Sequence, residues 1–474
     1  PTFCRWRSPS GNDLLLVYQK DYGEDEVLPD GKTVVSINFT GDNHGPHSYE
    51  RVKKIYADLR KRYPQAQLVG ASFNDVAREL LLIKKDLPVV TSEIGDTWIF
   101  GYGGAPIRMA KFRAVSRLYS QWLNEGKIKK DSDVALDFAA ELGLIAEHTQ
   151  GVDVKTHLRQ WDKYDMDKFL KGRSEGVFSM AEASWKEIDN YIDSAIAFLP
   201  ASLQKEAREV VAEVDKVKLE DNSKMKPMAR KRWEQPIAGG MTLAGLSYQM
   251  FDGDDYDDFQ NRYLRARYGW ALDDLGKRGL KESHAVSVTL YAQTMAQSVR
   301  KEKKGTRIIT ELRFPENEKV DKRVYPERIQ VNCFTTKNGK RSEVALTIYG
   351  KPAVRLPESY WLSFTVPGIE SVIAEKMGER VNLMDVVEKG NRQMHGIDRY
   401  VDLITSGETI RISSKEAFLL NVGEAQGLNY STNYPDKRKG VHFNLNNNLW
   451  GTNFSMWNEG SLTYHFVIET LSRK

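Results

Sequence analysis

The chain has 474 residues, 41% hydrophobic and 28% charged, with a mean hydropathy of -0.53. That length exceeds what one hydrophobic core usually organises, so a multidomain chain is expected. No apolar run reaches the roughly 18 residues of a membrane-spanning helix. The 69 basic and 65 acidic residues leave a net charge of +4, which argues against a dedicated nucleic-acid surface.

The basic stretch RKEKKGTR (300–307) lacks interleaved aromatics and reads as a solvated turn. Cys4 and Cys333 lie in segments that read as different domains, so both are expected as reduced, buried thiols. Sequons at Asn38, Asn429 and Asn453 are about what chance supplies in a chain this long. The sequence starts on Pro1 with no initiator methionine and no signal peptide, so it tells nothing directly about export.

Taken in order, residues 1–105 alternate apolar and amphipathic stretches. DLLLVY (13–18), TVVSINF (33–39), QLVGA (67–71) and LPVVTSEI (87–94) read as strands buried on both faces. Between the last three, SYERVKKIYADLRKRY places Val52, Ile55, Tyr56 and Leu59 on one helical face. SFNDVARELLLI opens with Ser72 and Asp75 in capping-box spacing. This alternation predicts a parallel sheet. Because it opens on a strand and leaves one edge uncovered, the segment is expected to be the C-terminal part of a β/α barrel completed by an upstream segment or chain.

Residues 106–232 change to long helical periods ended by Gly or Pro, which predicts a helical bundle. Residues 233–474 are dominated by period-two stretches and predict a β-sandwich. RIQVNCF and SEVALTIY flank TTKNGKR, where Asn338-Gly339 signals a hairpin. The alternation points Ile329, Val331 and Cys333 the same way as Val344, Leu346 and Ile348. The predicted class is thus a multidomain α/β + α + β chain.

Three loops concentrate chemistry. GDNHGPHSYERV (41–52) follows a predicted strand and precedes a helix, which places Asp42 and His44 on the side where parallel α/β domains build their sites. A carboxylate beside an imidazole suits acid/base work or hydroxyl binding; loop bracing is the competing role. His47 sits at the helix entrance and reads as a capping or surface residue. The second loop, EIGDTWIFGYGGAP (93–106), offers Glu93, Asp96, Trp98 and Tyr102 among glycines. Carboxylates beside aromatic platforms suit a sugar, whose C–H faces stack while its hydroxyls hydrogen-bond. The alternative is an aromatic plug on glycine turns.

AEHTQGVDVKTH (146–157), with His148, Asp153, Lys155 and His157, interrupts the helical region. GNRQMHGIDRY (390–400) carries His395, and NLNNNLWGTNFSMW (444–457) is rich in amides and aromatics. Helix connections and edge turns are commonly polar, so these three stretches carry less weight alone. No dinucleotide or phosphate loop, serine elbow or HExxH metal pattern is present.

Together these stretches resemble glycoside hydrolase family 38, the retaining α-mannosidase family, in an uncharacterised bacterial and fungal branch. PTFCRWRSPSGNDLLLVYQKDYG is similar to a barrel segment of that family, and GDNHGP resembles its Gly-Asp loop. LPVVTSEIGDTWIFGYGGAP with KFRAVSR resembles its segment leading into a basic helix. LIAEHTQGVDVKT falls where the family carries a His-rich loop.

The resemblance implies a glycosidase on an α-linked sugar that uses two carboxylates, with the nucleophile on an upstream segment. It makes Asp42 the acid/base or a sugar ligand, with His44 beside it. Trp98, Tyr102 and Asp96 would form the sugar wall, closed by His148, Asp153 and His395. Zinc is the cofactor it implies, yet Ile99 stands where the family has a histidine ligand, so either the metal is absent or another group such as Asp96 replaces that ligand. The other function consistent with these residues is a carbohydrate-binding or scaffold protein without catalysis. The resemblance also favours a periplasmic or secreted location.

Overall fold

The computed structural model describes residues 2–471 except 20–22, 42–43, 96, 222, 265–266 and 429. The chain divides into two compact units, Pro1–Glu93 and Ile94–Lys474. It mixes helix with several antiparallel sheets, the coarse class the sequence predicts.

In the first unit, Phe3–Arg7 pairs antiparallel with Asp13–Val17 and parallel with Val89–Val90. Arg7 closes the first pairing with an ion pair to Asp13 at 2.7 Å. A small core gathers Phe3, Leu28, Val35, Leu80 and Leu87. Two helices follow the second hairpin: α1 (Tyr49–Arg62), capped by Ser48, and α2 (Phe73–Leu82). The capping box predicted at Ser72 and Asp75 is present.

The predicted run of parallel strands does not form among the described residues. Val34–Ser36 pairs antiparallel with Asp25–Val27 instead, across a turn in which Asp30 accepts from the amides of Lys32 and Thr33. Residues 67–71 form no strand, and Val69 is 70% exposed. A strand exists only where a neighbour completes its ladder. The local hairpin captures one segment, and no described strand lies beside the other.

Near the start of the second unit a 3₁₀ turn, Thr97–Gly104, leads into α3 (Pro106–Asn124). Next come α4 (Asp133–Gly143), α5 (Val154–His157), α6 (Met166–Ser174), α7 (Ser179–Ala197) and α8 (Ala201–Asp215). Trp122, Phe138, Leu142, Ile192, Ile196 and Leu203 form the core between α3, α4, α7 and α8. A ten-stranded and a seven-stranded sheet follow. They share one apolar core, in which Phe364 and Phe443 of the smaller sheet meet Phe466 of the larger. The Asn338-Gly339 hairpin has the predicted register, with Ile329 opposite Ile348, Val331 opposite Leu346 and Cys333 opposite Val344.

Two helices interrupt this sheet region where the sequence pattern gave only strands: α9 (Gly253–Tyr263) and α10 (Gly269–Asp274). A capping box of Asp252 and Asp255 starts α9. Both cysteines are free and buried, and burial pushes the Cys333 thiol up to about 11.

Candidate functional site

In the first unit, the loop before α1 borders an open cleft of about 490 Å³ lined by Phe39, Thr40, His44, Gly45, Pro46, His47, Ser48 and Arg51. That volume lies within the range of small-molecule sites. His44 is among these lining residues, although the segment before it pairs antiparallel rather than in the expected parallel sheet, and Asp42 lies outside the described residues. Sequence reasoning discounted His47, yet it lines the same cleft, with Nε2 3.0 Å from the Asn38 carbonyl oxygen. Arg51 was also missed; the signal was its place in the first turn of a helix capped by Ser48, where its amide donates to Ser48 Oγ at 3.2 Å.

In the second unit, the Thr97–Gly104 turn meets three other segments. Asn447 Nδ2 donates to the Phe100 carbonyl at 3.0 Å, and a Cβ on Gly103 would lie 2.3 Å from that same amide. A Cβ on Gly101 would lie 2.3 Å from the Phe454 ring. Glycine is therefore required for the turn to seat on the 444–457 segment, which the sequence offered only as a general reading of glycine-rich turns. Trp98 packs obliquely on Trp450 and Phe454 at 5.9 and 6.1 Å between ring centroids, and Tyr102 meets Phe454 edge-on at 5.6 Å.

Tyr102 also ties the turn to the helical segment, its hydroxyl donating to the Ala146 carbonyl at 2.7 Å. Burial and the negative charge of Glu147 push its phenol up to about 12. His148 is exposed beside Tyr102's partner segment and pairs with the Glu147 carboxylate. Ile99 fits against the strand Met394–Gly396: a Cβ on Gly396 would lie 2.4 Å from Ile99 Cδ1. On that strand His395 is buried, with Nε2 3.0 Å from the Arg392 carbonyl oxygen. Asp96 lies outside the described residues.

Asp153 caps α5, accepting from the Lys155 amide at 3.3 Å and from Thr156 Oγ1 at 2.7 Å. The Lys155 ammonium then bridges Asp153, at 3.1 Å, and Asp274, at 2.8 Å. Asp274 is buried, and burial holds its carboxyl above the ordinary range despite the ammonium. Next to it, the Val154 amide donates to the carbonyl of Thr452 at 2.7 Å, and Thr452 sits at a left-handed φ of 56°. Among the described residues, Trp450 Nε1, Thr452 Oγ1 and Asn453 Oδ1 are buried without a hydrogen-bond partner. Such orphaned groups on a strained turn mark a place where water or a polar ligand completes the bonding.

Sequence reasoning missed what positions this junction. The buried Arg108 guanidinium donates to Asp189 at 2.6 Å, to Gln150 Oε1 at 3.0 Å and to the Trp185 carbonyl at 2.7 Å. Gln150 in turn donates to the carbonyls of Ile145 and Glu147. Arg108 lies in α3, Asp189 in α7 and Gln150 in the loop before α5, and nothing in the sequence links the three.

Among the described residues, no three His, Cys, Asp or Glu side chains converge as a metal ion would require. The side chain at the implied histidine position is apolar and packed. The described residues alone supply no zinc site, and Asp96 lies outside them.

Residues 103–234 match a family model described as a domain of unknown function, DUF5054. No curated protein matches the chain. Among solved structures, the whole chain is similar to an alpha-mannosidase from Enterococcus faecalis V583, at 9% identity and a TM-score of 0.51 over 69% of that chain. It is also similar, again at 9% identity over 100% of this chain and 69% of the other, to a glycosyl hydrolase family 38 protein from Enterococcus faecalis, with a TM-score of 0.45. At 9% identity to the alpha-mannosidase, the likeness is one of fold.

Proposed function

We propose that the protein is a glycoside hydrolase acting on an α-linked sugar by a retaining, two-carboxylate mechanism. The observation that carries this reading is the Thr97–Gly104 turn, which holds Trp98 and Tyr102 beside the orphaned polar atoms of Trp450, Thr452 and Asn453. Aromatic faces for the C–H side of a pyranose, next to unsatisfied groups for its hydroxyls, are what sugar binding needs. The fold likeness to an alpha-mannosidase supports it.

In this reading Asp42 protonates the leaving glycosidic oxygen while a carboxylate on an upstream segment attacks the anomeric carbon. Asp42 then takes the proton of the water that hydrolyses the glycosyl ester. Retaining enzymes hold the two carboxyls about 5 to 5.5 Å apart. His44 and Arg51 line the cleft beside this loop and supply hydrogen bonds to hydroxyls.

The upstream segment would complete a β/α barrel around the first unit. Supporting this, α1 contributes no fully buried side chain, and Phe73 and Leu82 are 72% and 80% exposed. No helix of the described residues is long and apolar enough to cross a membrane; a periplasmic or secreted location belongs to the same proposal.

The test is a screen of aryl α-glycosides on the protein together with its upstream segment, with and without chelator. Asp42→Ala is expected to lower turnover of the responsive substrate by roughly 10³-fold without lowering the melting temperature. Turnover by that variant at the unmodified rate would sink the assignment. The packed, apolar Ile99 favours a second reading, a carbohydrate-binding protein without catalysis. Glycan binding with no turnover of any glycoside would select it.

A further inference from the structure

Lys277, just after α10, turns its amine onto the segment that carries the orphaned atoms. Nζ donates to the Asn448 carbonyl at 2.7 Å and to Met456 Sδ at 2.9 Å. The Asn448 side chain also donates to the Met456 carbonyl, at 3.0 Å. These bonds draw the two ends of the 448–456 segment together at a neck, with Trp450, Thr452 and Asn453 on the loop between them. The α9–α10 region holds the same loop at two more points. The Tyr256 hydroxyl donates to the Leu449 carbonyl at 2.8 Å, and a Cβ on Gly451 would lie 2.2 Å from the Asp274 carbonyl oxygen.

Both acceptors of the Lys277 amine are uncharged, and residues 444–457 contain no ionisable side chain. Carboxylates on the surrounding segments pair with other cations. Asp273 pairs with Arg278, Asp274 with Lys155, and Asp162 with Lys163. On α9, Asp254 and Asp257 pair with Lys281 and Asp258 with Arg262, while Asp252 and Asp255 bond within the capping box. Glu358, whose amide donates to the Asn448 side chain, pairs with Lys351. The charge that acts on the Lys277 amine is a like one, the Arg355 guanidinium, which itself donates to the Gln160 and Leu158 carbonyls. A buried ammonium without a counter-ion is costly. Burial, with Arg355 adding to it, pushes Lys277 from 10.5 down to about 7, so the closed neck favours the neutral amine.

We propose that Lys277 is a proton-operated latch on the 448–456 loop: its neutral amine sits in the closed neck, and protonation opens the neck so that water reaches the ammonium. Opening returns the amine to its ordinary range, so the open loop takes up the proton first as pH falls. Opening is therefore most favourable below about 7 and becomes less so as pH rises from there toward 10.5. The loop carries Trp450, Thr452 and Asn453 and seats Phe454 against Trp98 and Tyr102, so the latch sets when the aromatic wall is assembled. As regulation of a sugar site it rests on the hydrolase reading; as a motion of the loop it does not.

Hydrogen exchange of the full chain, read by mass spectrometry over residues 448–456 at about pH 6.5 and about pH 8.5 and corrected for the intrinsic amide rate, measures this opening. The opening constant of the parent is expected to be roughly tenfold larger at the lower pH. Lys277→Gln keeps an uncharged donor for the Asn448 carbonyl, and its opening constant should not change between the two pH values. Lys277→Met removes the titration as well and carries the comparison if the glutamine variant fails to fold. Equal opening constants in the parent would overturn the latch, and so would the parent's pH dependence persisting undiminished in either variant. No sugar enters the measurement, so its failure leaves the hydrolase reading standing, and a chain that turns over no glycoside can still show the latch.

Discussion

Asn447 donates its side-chain amide to the carbonyl of Phe100 at 3.0 Å, although 347 residues separate them in sequence. A second bond, to Asn444 Oδ1 at 2.8 Å, orients that amide. The buried pair of asparagines therefore seats the Trp98–Tyr102 turn on the sheets.

Gly103→Ala should destabilise the chain by about 1–3 kcal/mol, because the new methyl has to displace a fully hydrogen-bonded amide. Asn447→Leu should act in the same direction by leaving the Phe100 carbonyl unpaired. Denaturant midpoints measure both. If either variant keeps the parent midpoint, the turn is not held as described.

The Lys155 ammonium lies between Asp153 and the buried Asp274. Lys155→Met would leave the Asp274 carboxylate uncompensated, costing about 2 kcal/mol at pH 7 once the partial exposure of the lysine is allowed for. Burial raises the folded-state pKa of Asp274 above its unfolded value, so the folded chain takes up this proton first as pH falls. The loss caused by Lys155→Met should shrink through that range, because a neutral carboxyl needs no cation. Stability measured against pH checks the slope. A pH-independent loss would mean the lysine acts by packing alone.

His442 accepts from Ser363 Oγ at Nδ1, 2.8 Å away, and donates from Nε2 to the Gly423 carbonyl at 3.2 Å. Burial pushes it from 6.5 down to about 4. As pH falls through this interval the unfolded chain takes the proton before the folded one does. The imidazole's contribution is complete above 6.5 and is lost between 6.5 and about 4, amounting to about 3 kcal/mol. His442→Gln should flatten the acid limb of the stability curve in that window. An acid limb of unchanged steepness would show that other groups set it.

Features written in short stretches of sequence were legible. The Ser72–Asp75 box and the Asn338-Gly339 hairpin depend on residues a few positions apart, and the structure carries both. The Asp252–Asp255 box had the same local signature, yet α9 was passed over because its surroundings read as strands. His44, His47 and Arg51 line one cleft, and nothing in the sequence shows which side chains do so. His395 was singled out for its residue type, and the structure shows it buried and bonded to the Arg392 backbone.

The sequence by itself determined the start of α2 and the hairpin register at Asn338-Gly339, because caps and turn chemistry act over one or two turns of chain. Tertiary structure alone decided that residues 34–36 pair with 25–27 while 67–71 pair with nothing described. A strand's ladder partner is set by which backbone competes for its hydrogen bonds. It alone also brought Trp98, Tyr102, Asp153 and Trp450 into one junction, where packing and orphaned polar atoms arise from segments hundreds of residues apart.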